Sequence, residues 1–224
     1  MKTLIFSDTH LAKSFDIQLF DYIAKQAKKA DQIIINGDFW DSNLVNFDYF
    51  VNSQWSQLFP LLKNKTIYIY GNHDPKDSMD ERVKLFSKVQ TSSYQLPVGD
   101  KTLMIEHGDR IAAEFDRRHA RLSWLILTIM PWLYPWLDSL LTKNHRLAKF
   151  YQRYTKLDHR QLLKQLRWFA LKNRRPKTIW VFGHSHLPDH HSINRGFVCL
   201  GVCRFGQFNS LWVDGGRISF YVSC

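Results

Sequence analysis

Seven residues of the chain carry the donor chemistry of a divalent-metal site: carboxylates at Asp8 and Asp38, an amide at Asn72, and imidazoles at His10, His107, His184 and His186. They fall in five short clusters: Asp8-Thr9-His10, Gly37-Asp38, Gly71-Asn72-His73-Asp74, His107-Gly108-Asp109 and Gly183-His184-Ser185-His186. A catalytic metal site that hydrolyses phosphate esters needs mixed oxygen and imidazole ligands, with positions left for water and substrate. Two such ions about 3.5–4 Å apart can share one carboxylate, activate a water and clamp the phosphoryl oxygens. The glycines in four of the clusters let the backbone turn tightly beside the ions. Taken singly, each residue has a plainer reading, since an Asp before a turn is usually a cap and a lone His a surface or satisfied core residue. The chemistry is in the set.

The segments before these clusters read as the elements that must position them. Lys2–Ser7 is a short apolar strand ending at Asp8, and Phe15–Ala30 places Ile17, Phe20, Ile23, Ala24 and Ala27 at the spacing of an amphipathic helix. Gln32–Asn36 is a buried-type strand that stops at Gly37, Phe47–Leu62 reads as helix, and Lys65–Tyr70 is a strand that stops at Gly71. Thr102–Glu106 leads into His107 and Thr178–Phe182 into Gly183. Gly196–Val222 reads as short antiparallel strands with a hairpin turn at Gly215-Gly216. Five strands therefore end in polar clusters, and in layered α/β folds ligands bind outside the carboxyl ends of the strands.

Bulk composition narrows the function classes. Cysteine is confined to Cys199, Cys203 and Cys224, an odd count with no CxxC pair, which excludes a disulfide framework and points to a reducing compartment. Cys199 and Cys203 are expected to pack as small apolar residues. The apolar run Thr3–Phe6 is too short for a signal peptide. Twelve of the 31 Lys and Arg lie between Leu140 and Lys177 against the single acid Asp158, so this segment holds the whole excess of +11. The basicity belongs to one surface. A duplex-binding protein would need basic groups around the strand ends, where the remaining chain is slightly acidic, so nucleic acid is the less favoured partner. His119, His145, His159, His190 and His191 lie outside the clusters and read as surface residues, and Asp109 as a residue behind the ligands.

The five clusters, in this order, resemble the motifs of the calcineurin-like metallophosphoesterases. That resemblance implies a four-layer α/β/β/α sandwich and two divalent ions, with Mn2+ suited to the mixed ligation and Fe, Zn or Mg as alternatives. It assigns Asp8, His10 and His186 to one ion, Asn72, His107 and His184 to the other, and Asp38 to both. His73 would face the leaving-group oxygen as acid or charge stabiliser, and Asp74 would hold an imidazole in its working orientation.

About seventy residues separate the His107 and His184 clusters, more than a crossover requires. The resemblance therefore divides the chain into a core of 1–109 and 177–224 and a helical insert at 110–176. Leu122–Leu137 is uncharged, holds Trp124, Trp132 and Trp136, and is interrupted by Pro131 and Pro135. Apolar residues of Arg146–Asp158 keep helical spacing, and Asp158–Gln161 would cap a further helix bearing Leu162, Leu163, Leu166 and Phe169. Such an insert is either a cap that touches an anionic membrane and admits a lipid tail, or a hairpin packed on the sheet with a solvated basic face. The arrangement is similar to the UDP-2,3-diacylglucosamine pyrophosphatases of lipid A synthesis, which place an acyl-binding cap here and work at the cytoplasmic membrane face. Gly37-Asp38-Phe39-Trp40-Asp41, Pro188 and Leu200-Gly201 carry the finer match. His73, where many members have Arg, and Arg110-Ile111-Ala112-Ala113, in place of an acidic pair, depart from it. A soluble-substrate phosphodiesterase or nuclease, and a scaffold without catalysis, are the rival readings.

Overall fold

The computed structural model describes residues 1–111, 136, 139–140, 143–144, 156–204 and 206–223. The Trp-rich stretch Leu122–Leu137 lies almost wholly outside them, as do His119, His145 and most of Arg146–Asp158.

Two sheets stack face to face because their strands alternate two apolar faces. One sheet runs β11 (Arg217–Ser223), β10 (Gln207–Asp214), β1 (Lys2–Phe6), β2 (Gln32–Asn36), β3 (Thr66–Ile69), β4 (Val89–Thr91), with β9 (Cys203–Arg204) paired to β10. The other runs β5 (Tyr94–Val98), β6 (Lys101–Ile105), β7 (Thr178–Phe182), β8 (Phe197–Cys199). Strands β1 to β4 are mutually parallel, as are β6 to β8. Ile5, Ile34, Ile67 and Leu211 of the first sheet meet Leu103, Ile105, Val181 and Val198 of the second in one buried core. Their neighbours Leu4, Phe6, Ile33, Ile35 and Tyr68 point the other way, onto α1 (Ile17–Lys29), α2 (Phe47–Asn52) and α3 (Phe59–Leu62). On the far side Phe182, Phe197 and Cys199 bury Leu166 and Ala170 of α4 (Lys156–Lys172). The result is the expected order of layers, helices–sheet–sheet–helix.

Several boundaries differ from the sequence reading for local reasons. Phe47–Leu62 is not one helix: Ser53 is extended, with ψ 176°, and its Oγ accepts from Trp55 N, starting a 3₁₀ turn over Gln54–Leu58. Pro60, which donates no backbone hydrogen bond, then sits in the first turn of α3, where none is needed. This break lets Trp55 Nε1 donate to Ala12 O at 2.8 Å. Asp158 lies within the span of α4, which already includes Lys156. Strand β8 is parallel and belongs to the second sheet, whereas the rest of the tail is antiparallel as read, turning at Gly215 and Gly216 with φ 55° and 84°. Strands β4 and β5 have no counterpart in the sequence reading; β5 tolerates Pro97 because it is an edge strand.

Ile34→Ala, between the sheets and fully buried, is expected to cost about 2–5 kcal/mol of unfolding free energy by cavity formation, measured by urea denaturation. A cost below about 1 kcal/mol would mean the intersheet core does not organise the fold.

Candidate metal centre

All five polar clusters follow parallel strands, β1, β2, β3, β6 and β7, so their side chains are delivered to one edge of the sandwich. The two sheets are tied there by Asn36, whose Nδ2 donates to Glu106 O at 3.0 Å. Donor atoms of Asp8, His10, Asp38 and His186 lie within 4.8 Å of one another, and so do those of Asp38, His107 and His184. Asp38 is common to both groups. Asn72 joins the second, its Oδ1 standing 3.2 Å from His107 Nε2. The structure thus brings together all seven residues singled out from the sequence.

Backbone geometry shows how tightly they converge. Asp8, His10, Asp38, His184 and His186 all have positive φ, between 45° and 61°, a region that strains side-chain-bearing residues and persists where the surroundings enforce it. Gly71 is needed for contact: a Cβ there would lie 2.2 Å from Asp38 Oδ1 and 2.6 Å from Asp38 N.

The atoms that meet are ones a cation must hold together. His107 Nδ1–H donates to Asn36 O at 2.9 Å, which turns Nε2 toward Asn72 Oδ1 and Asp38 Oδ2, each 3.2 Å away. Burial would lower this imidazole, but the Asp38 carboxylate holds it well above its usual value. His10 and His186 face each other Nε2 to Nε2 at 3.2 Å. Burial and neighbouring His107 push His184 down to about 3, and burial with His10 and His159 holds His186 well below its usual value, so both rings are neutral donors. Burial raises Asp8 to about 6 against the pull of His107. Asp38, although buried, is held well below the usual carboxylate range by His107 and His10. A buried set of oxygens and imidazole nitrogens converging on a shared carboxylate fits two divalent ions.

The carboxylates behind the set divide their work differently from expectation. Asp74 Oδ1 accepts from Asp38 N and Gly71 N at 3.0 and 2.7 Å, and Oδ2 from Phe39 N at 2.7 Å and from the Tyr68 hydroxyl. Both oxygens are thereby occupied by main-chain and phenol donors, so Asp74 fixes the turn that presents Asp38 and holds no imidazole. Burial and the Asp74 charge keep Tyr68 well above the usual phenol value, leaving it a donor. The imidazoles are held instead by Asp41, fully buried, whose Oδ2 is 3.1 Å from His73 Nδ1 and 3.4 Å from His10 Nδ1. Burial would raise Asp41, but the adjacent imidazoles of His10 and His73 hold it well below the normal range. Burial lowers His73, and the adjacent Asp41 carboxylate with the Asp38 charge overcomes this, raising it to about 9. Asp41 was legible in the sequence only as part of Gly37–Asp41, and its Nδ1 contacts depend on the tertiary turn.

A second residue missing from the sequence reading is His159, taken there for a surface histidine. Its ring lies 4.8 Å from that of His186. His190 stacks on Phe220 at 4.9 Å and His191 is exposed, away from the set. Asp109, half-buried, is in neither donor group. Cys199 and Cys203 are buried strand residues as expected.

A family model described as calcineurin-like phosphoesterase matches residues 1–209. Solved structures with a similar course of chain include an archaeal phosphodiesterase, at 15% identity over 99% of both chains with a TM-score of 0.46. Others are the phosphoesterase YfcE from E. coli, at 13% over 100% of both chains and 0.45, and vacuolar protein sorting 29 from Cryptosporidium parvum, at 15% over 99% and 96% and 0.45. Comparison with curated protein sequences finds no match.

Gly71→Ala is expected to leave the fold intact by circular dichroism and to reduce bound metal below one ion per chain by elemental analysis, because its Cβ displaces Asp38. Full metal content in that variant would remove Asp38 from the shared position.

Proposed function

Because the chain belongs to the calcineurin-like phosphoesterase family, we propose that it is a dinuclear metal-dependent phosphohydrolase acting on a lipid-linked nucleotide such as UDP-2,3-diacylglucosamine. Its membership makes it a metal-dependent phosphoester hydrolase. The observation that carries the dinuclear reading is the place of Asp38 in two separate donor groups. Asp8, His10 and His186 then hold one ion, Asn72, His107 and His184 the other, and Asp38 both. When bound, the ions, for which Mn2+ is the favoured identity, supply the Lewis acidity that draws charge from the phosphoryl oxygens and activates water.

The chain's own residues do the rest. His73, raised to about 9, carries a proton at neutral pH and stands at the half-open side of the centre, with its side chain 23% exposed. Asp41 holds Nδ1 and leaves the opposite edge of the ring toward the leaving-group oxygen, to which it gives its proton. Asp74 keeps the Asp38 turn from relaxing as charge moves across the phosphoryl group.

Support for a lipid-linked substrate comes from the segment 110–176, which we read as an inserted helical cap. Its described helix α4 leaves Trp168 51% and Leu171 48% exposed, beside the exposed Lys164 and Lys172. Apolar rings among cations suit the interface of an anionic membrane, and we place the protein peripherally on its cytoplasmic face. No described helix is long and apolar enough to cross a membrane. A polar cleft of about 420 Å3, lined by Tyr70, Gln90, Thr91, Glu106 and Arg110, opens beside His107 and suits a nucleotide half. That cleft is also what a phosphodiesterase of soluble substrates would need, and it keeps this second reading in play.

Two measurements test these readings. Mn2+-supplemented protein should hydrolyse UDP-2,3-diacylglucosamine far faster than bis(p-nitrophenyl) phosphate; turnover of the small diester alone would leave a phosphodiesterase and remove the lipid. His73→Ala should slow poor leaving groups such as alkyl esters by about 10²–10⁴-fold, and p-nitrophenyl esters much less. Equal losses on both would show that His73 does not deliver the proton.

A further inference from the structure

Helix α4 is fixed at two points to the loops that carry the metal-binding side chains. Leu166 is buried against Gly108, one residue after His107, where a Cβ would come within 2.8 Å of Leu166 Cδ2. The helix side chain occupies the space that the glycine leaves. The next residue, Arg167, donates from Nη2 to Asp189 Oδ2 at 2.5 Å, and Asp189 stands three residues after His186. Asp189 is in turn held by Ser192, whose N and Oγ donate to it at 3.3 and 3.0 Å, and by paired backbone bonds with Cys199. One helix thus spans the loop after β6 and the loop after β7.

From these anchors α4 runs back over the centre. His159 precedes Arg167 by eight residues, about 12 Å along the axis. It brings its half-buried ring to 4.8 Å from that of His186, with the planes 35° apart. Neither ring nitrogen of His159 belongs to the donor group gathered around His186, so it flanks the ligands without joining them. The side chain of His186 is 30% exposed.

We propose that His159 contacts the substrate, its imidazole N–H donating to a non-bridging phosphoryl oxygen, with Arg167 and Leu166 as the positioning residues that hold α4 there. The inference rests on the phosphohydrolase reading above and extends the site to a residue from outside the strand-end clusters. It separates two tasks. The strand ends bind metal, and α4 closes on the phosphoryl group that the metals hold.

The test uses metal-loaded full-length protein, comparing wild type with His159→Ala, His159→Gln and Arg167→Ala. Metal content, inorganic phosphate binding by calorimetry, and KM and kcat for bis(p-nitrophenyl) phosphate are measured on each. His159→Ala should keep its ions and weaken phosphate binding about 10- to 100-fold, as expected for losing a hydrogen bond to a charged group. His159→Gln, with an N–H donor, should recover most of that affinity, and Arg167→Ala should raise KM severalfold with metal retained. Unchanged phosphate affinity in His159→Ala would reduce the ring contact to packing and overturn the proposal. Loss of metal in that variant would overturn it as well, by making His159 a support for His186. Metal-loaded wild type that neither binds phosphate nor hydrolyses the diester would instead sink the phosphohydrolase reading.

Discussion

The structure depends on one electrostatic constraint: carboxylates and imidazoles are held within hydrogen-bond distance of one another in a buried place. Asp38, about 1% exposed, has the Nε2 atoms of His107 and His10 at 3.2 and 3.7 Å, while His10 and His186 oppose nitrogen to nitrogen. Burying such a cluster costs free energy unless positive charge lies among its groups, and part of that charge is the His107 imidazole, held well above its usual value by Asp38. Much of the surrounding architecture resists its relaxation. The two-sheet core sets the strand ends, Asn36 ties the sheets at that end, and five of the ligand residues accept a left-handed backbone. The strain is stored where metal binding can offset it.

Two acids that look alike in the sequence serve opposite ends of this arrangement. Asp74 is saturated by three backbone N–H groups and a phenol, so its charge stabilises main-chain geometry. Asp41 faces Nδ1 of His10 and His73, so its charge orients one ligand and raises the proton affinity of the neighbouring ring. The division follows from which donors are within reach: the Gly71–Asp74 turn folds back under Asp38, whereas Asp41, beyond Trp40, emerges beside the imidazoles.

This explains what the sequence made legible. Strands β1, β2, β3, β6 and β7 are apolar runs that stop at Gly, Asp or His, so periodicity and punctuation locate both the strands and the seven donor residues that meet at their ends. The layers followed from those strands, because alternating Leu4, Ile5 and Phe6 must face two cores. Where tertiary contacts decide, the sequence was silent. Asp41 and Asp74 could not be told apart without knowing which donors surround them. His159 sits on an amphipathic helix among basic residues and looks like part of a solvated face until α4 is docked. Strand β4 has only three residues, and β5, though as long as β1, carries Gln95 and Pro97, so neither stands out from a loop. The single helix expected over Phe47–Leu62 failed because Ser53 and Pro60 break it.

The docking of α4 also bears on the charge distribution. The segment from Leu140 to Lys177 carries the whole excess of +11, yet the inner side of its described helix is apolar and keyed to the ligand loops by Leu166 and Ala170. Its outer side shows Trp168 with Lys172 4.9 Å over the ring. The same rigid element therefore touches the catalytic loops on one side and presents cations and an aromatic ring on the other. A helix so placed cannot respond to a surface without moving relative to Gly108 and Asp189, because its turns advance as one body. Through α4 the loops that carry His107 and His186 are joined to that outer face, by Leu166 packed at Gly108 and by Arg167 paired with the buried Asp189.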